Sequence, residues 1–229
     1  FNFEKEYRII KLVKKKNPTI VDIGGNRGES IKNFLRYKRL SKIFCFEPKK
    51  NSFNHIKKKY KEKNIKIFNY GIGSNSKNLI LYTPKIYNYE FSGLSATNLS
   101  NLKFRLNFFF KNINKKFRFI KEEIKLKKLD ELNLKPDLIK IDTEGSELDV
   151  INSSLKTIKK HAPILIIEFN HNNFFSIQQK LFKIGYVSYI LKNKNLNITN
   201  NKILKKIKKE ANLNNIIFIK NKLLYENKT

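Results

Sequence analysis

Short runs that are apolar on both faces alternate along this chain with stretches of helical period. Strands are predicted in TIVDIGGNRGES (19–30), KIFCFEP (42–48), IKIFNYGIGS (65–74), NLILYTP (78–84), DLIKIDTEG (137–145), APILIIEF (162–169), YVSYIL (186–191) and NIIFIK (215–220). Helices are predicted at 4–15, 30–39, 51–63, 146–160 and 176–184, the first ending before Asn17-Pro18 because the residue before proline avoids the helical region. Residues 88–118 mix aromatics with lysines without a clean period, and 122–132 alternates before turning helical. The stretch 192–214 reads as a loop plus a short basic helix at 202–210. Strands buried on both faces and joined by helices mean βαβ units and a mostly parallel sheet. In such sheets ligands bind beyond the carboxyl ends of the strands.

Composition narrows this α/β reading. The 229 residues are enough to bury a core as a single domain, 1–229. One cysteine, Cys45, excludes a disulfide scaffold or a cysteine-based zinc site. No apolar run reaches the ~18 residues of a membrane span. Residues 1–17 contain no apolar core of a signal peptide, so a cytoplasmic location is expected. The 49 Lys+Arg against 19 Asp+Glu give a net charge of +30. Abundant Asn and Lys with only three Ala match the codon bias of an AT-rich genome, and the lysines are spread over the whole length. No specific nucleic-acid partner is therefore expected, although a charge this large binds polyanions in a salt-sensitive, sequence-blind way.

Unusual polar residues gather where the strands end. Asp22-Ile23-Gly24-Gly25-Asn26-Arg27-Gly28 is a glycine turn opening a helix, and it is not a Walker A loop because no Gly-Lys-Ser/Thr follows. Glu47, at the end of the second strand, stands where a carboxylate accepts the hydroxyls of a ribose. Together these suit a nicotinamide cofactor or S-adenosylmethionine. The segment Asp142-Thr143-Glu144-Gly145-Ser146-Glu147 places three more acids at a strand end beside the glycine turn. Concentrated negative charge suits a sulfonium and an ammonium and repels a pyrophosphate. A plain helix start explains Glu144 and Glu147 as well, through the helix dipole, but Asp142 less so.

VDIGGNRG (21–28), FEP (46–48), NYGIGS (69–74), LIKIDTEGSELDVI (138–151) and ILIIEF (164–169), in this order, resemble the FkbM-type S-adenosylmethionine-dependent methyltransferases. The resemblance runs from about 19 to 191. It implies a class I methyltransferase fold, Rossmann-like and three-layered, with seven strands in the order 3-2-1-4-5-7-6 and the last antiparallel. It also implies O-methylation of a hydroxyl on a sugar, a glycan or a secondary metabolite. By position, Asp22, Gly24, Asn26 and Gly28 then line the methionine part of the cofactor, Glu47 holds its ribose, and Gly71 and Ile72 border its adenine. Asn26 replaces the pattern's central glycine, a substitution that Asn tolerates in left-handed backbone. At position 71 the pattern leads one to expect Ala.

Transfer to a neutral hydroxyl wants a base, and the candidates are Asp142, Glu168 and His171, of which Asp142 is also counted among the cofactor-binding residues. The same three could instead hold a hard divalent cation against a sugar diol. Residues 88–118 fall where such enzymes vary, and Phe108, Phe109 and Phe110 between Arg105 and Lys111 read either as an acceptor cap or as a helix packed on the core. Three rivals remain. The first is an RNA methyltransferase, although no Asn-Pro-Pro-Tyr-type motif is present and Cys45 lies inside a strand. The second is an NAD-dependent oxidoreductase, for which no hydride-transfer Tyr/Lys pair is recognisable. The third is a non-enzymatic binding protein on the same fold.

Overall fold

The computed structural model describes residues 5–74, 78–110, 116–169, 171–192, 195–199 and 215–220. The predicted basic helix at 202–210 and the flank at Lys111 lie outside them. The helix predicted over 4–15 is a 3-10 helix, Lys5–Leu12. There follow β1 (Thr19–Ile23), α1 (Glu29–Tyr37), β2 (Lys42–Phe46), α2 (Lys50–Lys59), β3 (Ile65–Phe68) and the two-residue β4 (Gly71–Ile72). Next come β5 (Leu79–Ile86), β6 (Tyr89–Glu90), α3 (Leu99–Phe109), β7 (Arg118–Ile124) and β8 (Leu126–Lys127). The second half carries β9 (Leu138–Ile141), α4 (Glu147–Asn152), α5 (Leu155–His161), β10 (Ile164–Glu168) and α6 (His171–Phe182). It closes with β11 (Tyr186–Lys192), β12 (Asn195–Ile198) and β13 (Asn215–Lys220).

The main sheet has eight strands in the order β3-β2-β1-β9-β10-β13-β11-β12. The five from β3 to β10 are mutually parallel, and β13 runs antiparallel to both its neighbours. The expectation of seven strands is corrected by β12, which folds back antiparallel on β11 within the stretch predicted as loop. Alternate residues of the central strands feed two cores, as a pleated strand requires. Val21, Ile23, Ile139, Ile141 and Leu165 pack with Val150, Ile151 and Phe174 on one face. Ile20, Ile43, Leu138 and Ile166 pack with Tyr7, Ile31, Phe34 and Ile56 on the other. These strands are apolar on both sides because both sides are covered.

Other boundaries shift for local reasons. The predicted helix 146–160 is two helices, parted at Ser153 and Ser154, whose hydroxyls both donate to the Val150 carbonyl and so compete with helical backbone bonds. The helix predicted at 176–184 starts earlier, at His171. The predicted strand 65–74 is divided into β3 and β4, and β4 leaves the main sheet to pair with β8. The helical end predicted for 122–132 is only a 3-10 turn, Leu129–Glu131. Residues 88–118, read as irregular, contain β6, a 3-10 turn and α3. With the antiparallel sheet β6-β5-β7 they form a small cap around Ala96, Leu102, Leu106 and Phe117, with Phe91 and Phe110 against it.

Candidate active site

Strand register builds the site. Ile23 pairs with Phe46 on one side and with Ile141 on the other, and Ile141 pairs with Ile167. The next residue on each strand, Gly24, Glu47, Asp142 and Glu168, therefore emerges at the same carboxyl edge. A cavity of about 560 Å³ opens there, lined among others by Gly24, Asn26, Glu47, Gly71, Ile72, Asp142 and Glu144.

Gly24 turns the chain away from β1 with φ +84, and a Cβ on it would stand 1.8 Å from the Asp142 carbonyl oxygen. Only glycine fits so close a passage. Asn26 takes φ 44, so the expected left-handed Asn is present. Its backbone N–H donates to Glu47 Oε2 at 2.8 Å, and Lys49 N–H donates to Oε1 at 2.8 Å. Burial pushes the Glu47 carboxyl up to about 7, against the lowering effect of those two backbone donors.

Among the predicted site residues that are described, Asp22, Gly28 and Glu168 do not line the cavity. Asp22 is fully buried beneath the turn, where it accepts from Ser30 Oγ at 2.5 Å. Gly28 caps α1 with φ +80, and Tyr60 donates to its carbonyl at 2.8 Å. Both shape the loop from behind. At Gly71, where Ala was expected, a Cβ would lie 2.7 Å from Leu126 Cδ2, so β8 occupies the space a methyl would need.

Three carboxylates, Asp142, Glu144 and Glu168, bring oxygens within 4.8 Å of one another. Burial first, then repulsion from Asp142, Glu144 and Glu147, pushes Glu168 up to about 9. Burial also raises Glu144 to about 7, although Arg105 Nη1 lies 2.6 Å from its Oε2 and opposes the shift. The predicted trio of Asp142, Glu168 and His171 is thus met by Glu144 in the third place; His171 begins α6, and its side chain lies outside the described residues.

Sequence reasoning named Glu147 and Arg105 without their contacts and missed Lys140. Glu147 braces the turn before α4, its Oε1 accepting from Thr143 and Gly145. Arg105 reaches the site from α3, a contact across 39 positions that no local pattern carries. Lys140, inside β9, is buried, and its Nζ contacts Gly24 and Asp142; its one signal was a lysine within an otherwise apolar strand. Burial works against its charge, but Asp142 foremost, with Tyr7 and Asp22, overcomes this and holds its pKa well above the usual lysine value.

This is the layout of a nucleoside-binding α/β enzyme, with a left-handed glycine turn after the first strand and a carboxylate after the second. The methyltransferase FkbM domain matches residues 22–191, and the chain belongs to that family of S-adenosylmethionine-dependent methyltransferases. Among solved structures it is similar to a methyltransferase FkbM from Methylobacillus flagellatus, at 14% identity and TM-score 0.58, over 93% of this chain and 47% of that one. The chain thus spans about half the length of that relative. Weaker likenesses include an S-adenosylmethionine-dependent O-methyltransferase from Thermotoga maritima (11% identity, 96% of this chain and 66% of that one, TM-score 0.47). Another is a plantazolicin methyltransferase in complex with SAH (10% identity, 94% of this chain and 80% of that one, TM-score 0.47). No curated protein matches the chain.

The residues fit such a donor. Asn26 Oδ1, on a side chain that lines the cavity, is a buried acceptor without a hydrogen-bond partner. Each Glu47 oxygen takes one backbone N–H and keeps acceptor capacity for a hydroxyl.

Proposed function

We propose that this protein transfers a methyl group from S-adenosylmethionine to a hydroxyl oxygen of a sugar, a glycan or a secondary metabolite. One observation carries the reading: a single cavity joins the glycine turn, Glu47 and the acidic edge formed by Asp142 and Glu144. In this reading Glu47 accepts the ribose hydroxyls, Asn26 and Asp142 face the ammonium group, and Gly71 and Ile72 border the adenine.

When bound, the donor supplies a methyl group already activated by its sulfonium. The chain's own task is to hold the acceptor oxygen about 3–3.5 Å from that carbon and in line with it. The acceptor's proton passes to the Asp142–Glu144–Glu168 cluster, entering at Asp142 and Glu144, which line the cavity; Glu168, raised to about 9, is protonated near neutral pH and accepts a proton only as the pH climbs toward that value. The cavity wall beneath the cap, with Ser92, Ser95 and Thr97, offers hydroxyls suited to a polyhydroxylated acceptor.

Calorimetry with S-adenosylmethionine, S-adenosylhomocysteine and NAD tests the donor. Micromolar binding of the first two and none of NAD is expected, and NAD binding alone overturns the reading. Sugar-containing extracts incubated with labelled donor, followed by mass spectrometry, identify the acceptor. Turnover that is insensitive to salt argues against a polyanionic acceptor such as RNA.

A further inference from the structure

Lys140 has a task beyond filling a strand. Its side chain is 4% exposed, and an ammonium so placed loses several kcal/mol of hydration unless it is compensated. Asp142, Asp22, the Gly24 carbonyl and Tyr7 are near it. Nζ donates to the Gly24 carbonyl at 3.0 Å, lies 3.0 Å from Asp142 Oδ2, and lies 3.7 Å from Asp22 Oδ1. The contact with the fully buried Asp22 is the longest of the three, so charge balance in the core does not explain where the ammonium sits. Its two short contacts are to groups on the cavity wall. Gly24 is also held from the other side, because its N–H donates to the Phe46 carbonyl at 2.9 Å. With both its polar groups tied, the left-handed pivot of the turn is fixed. Asp142 is tied through one oxygen, which leaves the other for the cavity.

We infer that Lys140 is the positioning residue of the donor site, locking the Gly24 carbonyl and the Asp142 carboxylate in the geometry that receives S-adenosylmethionine. The inference rests on the donor assignment above. Wild-type binding is therefore measured first by calorimetry, and its absence sinks that assignment and this role together.

Lys140→Met and the double variant Lys140→Met with Asp22→Asn are then compared. The double variant restores the buried charge balance and is expected to melt close to the wild type, while both variants bind S-adenosylmethionine at least tenfold more weakly. Wild-type affinity in a folded double variant overturns the inference, because Lys140 then only neutralises Asp22. A readout on the unmodified chain decides the case if neither variant folds. The buried, hydrogen-bonded ammonium is expected to exchange its protons slowly, and its ¹⁵Nζ resonance is expected to shift when S-adenosylmethionine is added. A resonance that stays in place at saturation overturns the inference, and one that moves supports it.

Discussion

Glu47 accepts the backbone N–H of Asn26 across 2.8 Å, fastening the end of β2 to the turn that follows β1. The carboxylate therefore shapes the turn as well as facing the cavity. Glu47→Gln replaces one acceptor oxygen by an amide donor that points at a backbone N–H. Affinity for S-adenosylmethionine is expected to fall at least tenfold, about 1.4 kcal/mol. Unchanged calorimetric affinity in this variant removes Glu47 from the donor site.

The raised carboxyls make stability and binding depend on pH. Glu47 and Glu144 stand at about 7 and Glu168 at about 9, each raised chiefly by burial. Between the ordinary carboxyl value of 4.5 and about 9 the folded protein holds protons that the unfolded chain has released, so stability falls as pH rises. The melting temperature is expected to drop from pH 5 to pH 9, with Glu168→Gln flattening the upper part of the slope. Donor binding favours the ionised acids, so it releases protons at pH 7. Calorimetry in buffers of different ionisation heat measures that release, and a value of zero contradicts the scheme.

The glycine turn separates backbone from side-chain roles. Gly24→Ala drives a methyl into the Asp142 carbonyl at a left-handed φ, and a loss of about 1–3 kcal/mol in stability is expected together with loss of donor binding. Asn26→Gly keeps the left-handed backbone and deletes the unpartnered amide oxygen. It should melt near the wild type and still bind the donor more weakly. Full affinity in Asn26→Gly removes the amide from the site.

Glu168→Gln and His171→Ala distinguish the bases. A lost general base typically costs 10²–10⁴ in rate, so Glu168→Gln should lower kcat by at least 100-fold, and the wild-type kcat should climb toward pH 9. An intact kcat in Glu168→Gln ends its role. Treatment with EDTA separates this chemistry from a cation held by Asp142, Glu144 and Glu168: turnover lost on chelation and restored by a divalent ion assigns the cluster to a metal.

Arg105→Ala breaks the 2.6 Å contact between the cap and Glu144. The acceptor KM is expected to rise several-fold, with donor affinity nearly unchanged because Glu47 and the glycine turn are untouched. Equal losses for donor and acceptor contradict that division.

The parallel strands were legible because each buries both faces, so TIVDI and LIKI are largely apolar, broken only by Asp22 and Lys140, with site residues just beyond their ends. Strand β12 was not, since Asn195–Ile198 is exposed at three of its four residues and held by backbone pairing at a sheet edge. Helix α3 hid its period because Phe104 and Phe108 face outward at 73% and 67% exposure, while Leu102 and Leu106 face inward. Glu47 and Asp142 could be found by position along the chain. Arg105 and Lys140 could not, because their meaning comes from partners distant in sequence.

The cap meets the rest of the site at two places, through Arg105 and Glu144 on one wall and through Glu90 and Lys49, the neighbour of the Glu47 segment, 2.8 Å apart on the other. Under the proposed reading, a change in the cap therefore reaches both the acceptor end and the donor end of the cavity. A scaffold tied in this way couples drift in one surface segment to both halves of its reaction chamber.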